Sequence, residues 1–223
     1  GGRIPVVAGT GGNSTHEAIE LTVSAAEAGA DYSLSVTPYY NKPTQQGLFE
    51  HFQAVARSVN LPIILYNVPG RTGCDLLNDT VVKLSQIDNI VAIKDATGDV
   101  ARGAALIEAV PDGFAVFSGD DATALELMRR GGQGNVSVTA NIAARDMAAM
   151  CHFALTGEWE AAAEIDARLS ELNDLLFIEA NPIPVKWAMA QRGMMEYGIR
   201  LPLTPLSEPC RGDLERALET YFA

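Results

Sequence analysis

Short apolar runs rich in β-branched residues alternate with stretches of helical periodicity along most of the chain, a pattern that separates buried strands from amphipathic helices. Strands are predicted at residues 4–8, 32–37, 62–67, from Ile90 up to Lys94, at 115–118 and at 135–139. Between them, Ser14 and Glu17 form a capping box for a helix over about 15–28 that stops at Gly29. Thr44 opens a helix with Leu48, Phe52, Val55 and Val59 on one face, and a short helix falls near 78–86. A further helix reaches Arg130 before Gly131-Gly132, and another runs through Leu155. From Glu158 the strands cease: Trp159, Ala162, Leu169, Leu172 and Leu176 recur at helical spacing. Pro182 and Pro184 start a helix through Met189, and a last helix is predicted over 212–222.

Alternating β and α runs imply parallel strands joined by right-handed helical crossovers. An open doubly wound sheet and a closed (β/α)8 barrel both satisfy this. No GxGxxG or GxxxxGK[ST] follows any strand, and the unusual residues sit at the C-terminal ends of many strands, which favours the barrel. Six strands are read where a barrel needs eight, so the expectation is a (β/α)8 TIM barrel lacking its first two strand–helix units. It would occupy residues 1–156, with a C-terminal helical extension at 157–223.

Composition narrows the function. A formal net charge of −12 argues against nucleic acid or an anionic membrane as partner. The cysteines, Cys74, Cys151 and Cys210, are far apart with no CxxC, which fits a reducing cytoplasm and no disulfide framework or zinc site. No apolar run has the length of a membrane span, so a soluble, cytoplasmic protein is expected. No metal site is expected, because His16, His51 and His152 all fall in helical stretches and Asp120-Asp121 lack further oxygen ligands. Those aspartates read as caps of the next helix.

Lys94 is the exception in an otherwise apolar strand. Desolvating an ammonium is costly, and a lysine in a dry setting gives up its proton to become a nucleophile for carbonyl carbon. The alternative is a structural lysine reaching Asp95 or Asp120. At the other strand ends stand Tyr39 and Tyr40, Tyr66 followed by Arg71, Gly119, and the 133–136 turn and strand. An amine, a phenol and a guanidinium are the parts of a Schiff-base condensing enzyme. Each has a plainer alternative: Tyr39-Tyr40 as a packing corner, Tyr66 as a strand aromatic, Arg71 as a turn residue paired with Asp75.

Five segments carry a specific resemblance: 36–43 (VTPYYNKP), 65–73 (LYNVPGRTG), 92–98 (AIKDATG), 118–121 (SGDD) and 181–186 (NPIPVK). In order and spacing they resemble the dihydrodipicolinate synthase (4-hydroxy-tetrahydrodipicolinate synthase) family, within the class I pyruvate-dependent aldolase/lyase superfamily. The resemblance implies that Lys94 forms a Schiff base with pyruvate and needs no other cofactor. The enamine would attack the aldehyde of aspartate semialdehyde, the first committed step toward lysine and diaminopimelate. It further implies that Tyr66 relays protons, that Arg71 grips the semialdehyde carboxylate, and that Tyr40 crosses a tight interface into a partner's site. Gly119 and Val136 would offer main-chain contacts to pyruvate. Asn13, Glu17 and Tyr39 match part of an allosteric lysine pocket, and a homodimer or homotetramer is implied. Asp95 stands where the family more often has Glu.

The resemblance also implies a Thr-Thr-Gly-Glu segment at the end of a preceding strand, which this sequence does not contain, and low activity is expected for the chain as written. Competing readings are a sister lyase for N-acetylneuraminate or 2-keto-3-deoxy-sugar acids, which usually lacks an arginine at the Arg71 position, and a non-catalytic lysine-binding subunit.

Overall fold

Five parallel strands, β1 (Val7–Gly9), β2 (Tyr32–Val36), β3 (Ile63–Asn67), β4 (Ile90–Asp95) and β5 (Ala115–Ser118), pair in sequence order into one sheet. They belong to a computed structural model that describes residues 2–223. Parallel neighbours need crossovers, and the helices supply them: α1 (Thr15–Glu27), α2 (Gln45–Ser58), α3 (Pro69–Thr72), α4 (Asn78–Leu84) and α5 (Val100–Ala109). The chain divides into two units, and this sheet with its helices, residues up to 120 together with 130–134, is the first.

Helix starts follow the local chemistry. Ser14 accepts from the Glu17 amide, Thr44 from that of Gly47 and Asp99 from that of Arg102, each satisfying one orphan donor of a first turn. Of the expected apolar face of α2, Leu48, Phe52 and Val55 are fully buried, while Val59 is the extended C-cap beyond the helix and only partly buried. Ile63, Leu65, Ile93 and Val116 are equally dry on the strands, and each such side chain contributes about 1.5–3 kcal/mol on burial. Burial alternates along β2, where Ser33 and Ser35 are buried while Tyr32, Leu34 and Val36 are only partly so. At the end of β3 residues 69–72 form a helical turn, closed where Gly73 adopts φ 69° and returns its amide to the Pro69 carbonyl.

The second unit, residues 121–129 and 135–223, is helical: a 3₁₀ turn at Asp121–Thr123, then α6 (Ala124–Arg129), α7 (Ala140–Thr156), α8 (Trp159–Leu175), α9 (Ile183–Gln191) and α10 (Glu208–Phe222). α7 packs on α8, and α10 on α8 and α9. Met147, Met150 and Leu169 centre one buried cluster, and Leu172, Trp187 and Leu218 another. α10 begins four residues before the predicted 212, since Ser207 and Pro209 provide a cap position and a preset φ for the first turn.

The strand expected at 135–139 does not form; Asn135 is only an isolated bridge residue. Its β-branched pattern is overridden by Asp121. That carboxylate accepts from the amides of Val138 at 2.9 Å and Thr139 at 3.0 Å, and from Asn135 Nδ2 at 2.7 Å, so donors a ladder would use go to a side chain. Thr139 then turns helical, and Ser137 Oγ accepts from the Ala140 amide as α7 begins. Asp121 is therefore the organiser of this segment, where the sequence reads it as a helix cap.

Candidate active site

Strand register brings the chemistry together. Tyr66 on β3 pairs with Lys94 on β4, and Asn67 with Asp95, so the first pair lies on one face of the sheet and the second on the other. The outcome for Lys94 is specific: its Nζ stands 4.2 Å from the centroid of the Tyr66 ring. Both side chains are half-buried. Burial pushes the Tyr66 phenol above its ordinary range, and the charge of Arg71 partly opposes that shift. A phenol so held keeps its proton at neutral pH.

Arg71 sits on α3, exposed, within electrostatic reach of Tyr66. The pairing of Arg71 with Asp75 that the sequence leaves open is not what the fold uses for Asp75. Its carboxylate is held by both terminal nitrogens of Arg102, at 2.8 and 2.9 Å. Gly119 follows β5 and donates its amide to the Asp95 carbonyl at 2.7 Å. A Cβ there would lie 2.7 Å from Lys94 Cε and 2.8 Å from Ala96 Cβ, so only glycine leaves the path that the Lys94 stem occupies.

A second grouping forms around Tyr39 and Tyr40. Asn13 Nδ2 donates to the Tyr39 carbonyl at 3.3 Å, Asn41 Nδ2 to the Asn13 carbonyl at 2.9 Å, and the Tyr40 amide to the Thr72 carbonyl at 3.1 Å. Tyr40 takes φ 73°, unusual for a residue with a Cβ, and its side chain is 87% exposed. That removes the packing-corner reading. Glu17 lies exposed in the first turn of α1. Val136 lies in the second unit, partly exposed, within the segment that Asp121 holds.

Sequence reasoning passes over the support behind these groups. Asn67 is fully buried; its Nδ2 donates to Asp75 at 2.9 Å and its Oδ1 accepts from the Leu76 amide at 3.0 Å. Asp95 accepts from the Thr97 amide and hydroxyl, and burial raises its pKa against the pull of those bonds and of Arg102. A fully polar residue closing an apolar strand was the available signal for Asn67. Nothing at Arg102 distinguishes it locally from a solvated helical arginine.

A lysine amine beside a phenol at the carboxyl ends of adjacent parallel strands is an arrangement suited to an α/β enzyme that works on carbonyl carbon. The model of the dihydrodipicolinate synthetase family matches residues 1–221, and the chain belongs to that family. It is 60% identical over 219 residues to the 4-hydroxy-tetrahydrodipicolinate synthase of Marinobacter nauticus, covering 98% of this chain and 75% of that one. It is similar to the crystal structure of the chloride-inhibited dihydrodipicolinate synthase from Acinetobacter baumannii complexed with pyruvate: TM-score 0.97, 57% identity, covering 99% of this chain and 76% of that one. The synthase from Cyanidioschyzon merolae with lysine bound matches with a TM-score of 0.94 and 42% identity over 98% of this chain and 74% of that one.

Proposed function

We propose that this protein condenses pyruvate with aspartate semialdehyde to 4-hydroxy-tetrahydrodipicolinate through an imine at Lys94, in lysine and diaminopimelate biosynthesis. The observation that carries the reading is the Lys94 amine 4.2 Å over the Tyr66 ring. The neutral amine adds to pyruvate C2, water leaves, and loss of a methyl proton gives the enamine. Its carbon attacks the aldehyde carbon, and the substrate's own amine then displaces Lys94 as the ring closes. Tyr66, with a raised pKa, is suited to pass protons to and from the oxygens that change charge. Arg71 offers a planar fork for the semialdehyde carboxylate. Gly119 is a main-chain contact for pyruvate in this reading. No other cofactor enters the scheme.

The sequential all-parallel order of β1–β5 and the likeness to the Acinetobacter baumannii synthase support reading this sheet as part of a (β/α)8 barrel, with five strands in place of the six read from the sequence. Tyr40, exposed and held at positive φ, supports a homodimer or homotetramer in which it reaches a second copy. Asn13, Glu17 and Tyr39 form part of a pocket for lysine, the ligand that the Cyanidioschyzon merolae structure carries. Cys74, Cys151 and Cys210 are free thiols, in keeping with a reducing cytoplasm. Among the described residues no helix is long and apolar enough to cross a membrane.

A sister pyruvate lyase is the second reading, and Arg71 favours the synthase. Pyruvate supplied with aspartate semialdehyde, N-acetylmannosamine or short sugar aldehydes separates them. Consumption of pyruvate with the semialdehyde alone is expected. Turnover of a sugar aldehyde instead, or lysine binding with no turnover at all, would replace this reading.

A further inference from the structure

Behind the Lys94–Tyr66 pair lies a chain of polar groups that touches no reacting atom. Arg102, on α5, places Nη1 and Nη2 2.8 and 2.9 Å from the two Asp75 oxygens. Its Nη2 also donates to the Leu76 carbonyl at 2.7 Å, and its Nε to Asn78 Oδ1 at 3.3 Å. Asp75 passes the constraint to Asn67, whose amide it accepts at 2.9 Å, while the Leu76 amide closes the loop on Asn67 Oδ1 at 3.0 Å. The Asn67 carbonyl accepts from the Ala96 amide at 2.9 Å, tying the end of β3 to the turn after β4.

The arrangement is unusual in where it acts. Asn67 follows Tyr66 and Asp95 follows Lys94, and in a strand successive side chains leave opposite faces. Clamping Asn67 from behind therefore fixes the backbone that aims Tyr66 forward. Arg102 lies close enough to Asp95 and Asp99 for both charges to raise its own pKa, with Asp75 the larger influence. The guanidinium thus contacts Asp75 and feels the charges of Asp95 and Asp99. A bidentate pair of this kind holds direction as well as distance, which a lysine in its place cannot do.

We infer that Arg102, acting through Asp75 and Asn67, is a positioning residue that holds Tyr66 and Lys94 in reacting geometry. The inference rests on the proposed imine at Lys94. Displacing reacting groups by a fraction of an ångström costs rate far more than it costs binding of the small ketoacid.

The test is the rate at which pyruvate is trapped on the protein by borohydride, across a range of pyruvate concentrations, in the unsubstituted protein and in Arg102→Lys and Asp75→Asn. Folding of each is checked by circular dichroism, so that one variant decides if the other does not fold. The expected result is a maximal trapping rate lower by about tenfold to a hundredfold. The pyruvate concentration for half-maximal rate should change by less than about twofold, and Arg102→Lys should not rescue despite its charge. A folded variant with a lower melting temperature but an unchanged trapping rate would overturn the inference and leave the function standing. No adduct on the unsubstituted protein would overturn the proposed function and this inference together.

Discussion

At Gly119 the main chain passes so close to Lys94 that a single methyl group decides whether the lysine can lie where it does. Gly119→Ala would force Lys94 and Ala96 aside, and overpacking of this kind costs about 1–3 kcal/mol. Adduct formation is expected to fall by about tenfold or more, read by borohydride trapping. An unchanged rate would mean that the Lys94 stem has another path. His51 gives a pH prediction of its own. It is buried on α2, its Nδ1 lies 2.9 Å from Thr15 Oγ1, its Nε2 has no hydrogen-bond partner among the described residues, and burial lowers its pKa to about 4. Because the folded pKa lies below the ordinary 6.5, the unfolded chain takes up the proton first. The associated stability is complete above pH 6.5 and is lost as pH falls toward 4, by up to about 3 kcal/mol. Denaturant titrations from pH 7 to pH 4 should show this slope, and His51→Gln should flatten it.

Among the elements, α7 and the segment ahead of it depend on one buried carboxylate. Asp121 is 2% exposed and satisfies the amides of Val138 and Thr139 together with Asn135. Asp121→Ala leaves those donors unmet in a dry setting, and about 3 kcal/mol of destabilisation by chemical denaturation is expected. A loss below about 1 kcal/mol would show that the segment holds itself. The same residue explains where the sequence misleads. Residues 135–139 read as a strand by pattern, and no pattern can announce that a side chain fourteen positions or more earlier claims their amides. The elements whose signals are local were legible: the capping serine and threonine of α1 and α2, the apolar face of α2, and the run that ends in Lys94. Lys94 and Tyr66 were legible as candidates because each stands near the end of an apolar strand; that they meet follows from the register of β3 on β4. Asn67, Asp75 and Arg102 were not, because their role exists only in the register of β3 against β4 and in the side-chain bonds linking them to α5.

For the molecule as a whole, the net charge of −12 means that attraction of an anionic substrate has to come from local cations, the role proposed for Arg71. Tyr40, 87% exposed, is a large aromatic with no burial of its own. If a second copy covers it, Tyr40→Ala should weaken self-association by about 2 kcal/mol, or about thirtyfold. Sedimentation of the two proteins over a dilution series reads this directly, and identical dissociation would place the interface elsewhere. Family and fold rest on more than any one residue, because the match runs across residues 1–221. The chemistry rests on one. Incubation with pyruvate and borohydride, followed by intact-mass measurement and peptide mapping, with Lys94→Ala as control, tests it most directly. The account predicts a single reduced pyruvate adduct on Lys94 and none on the variant. An adduct on another lysine, or none on folded protein, would contradict it.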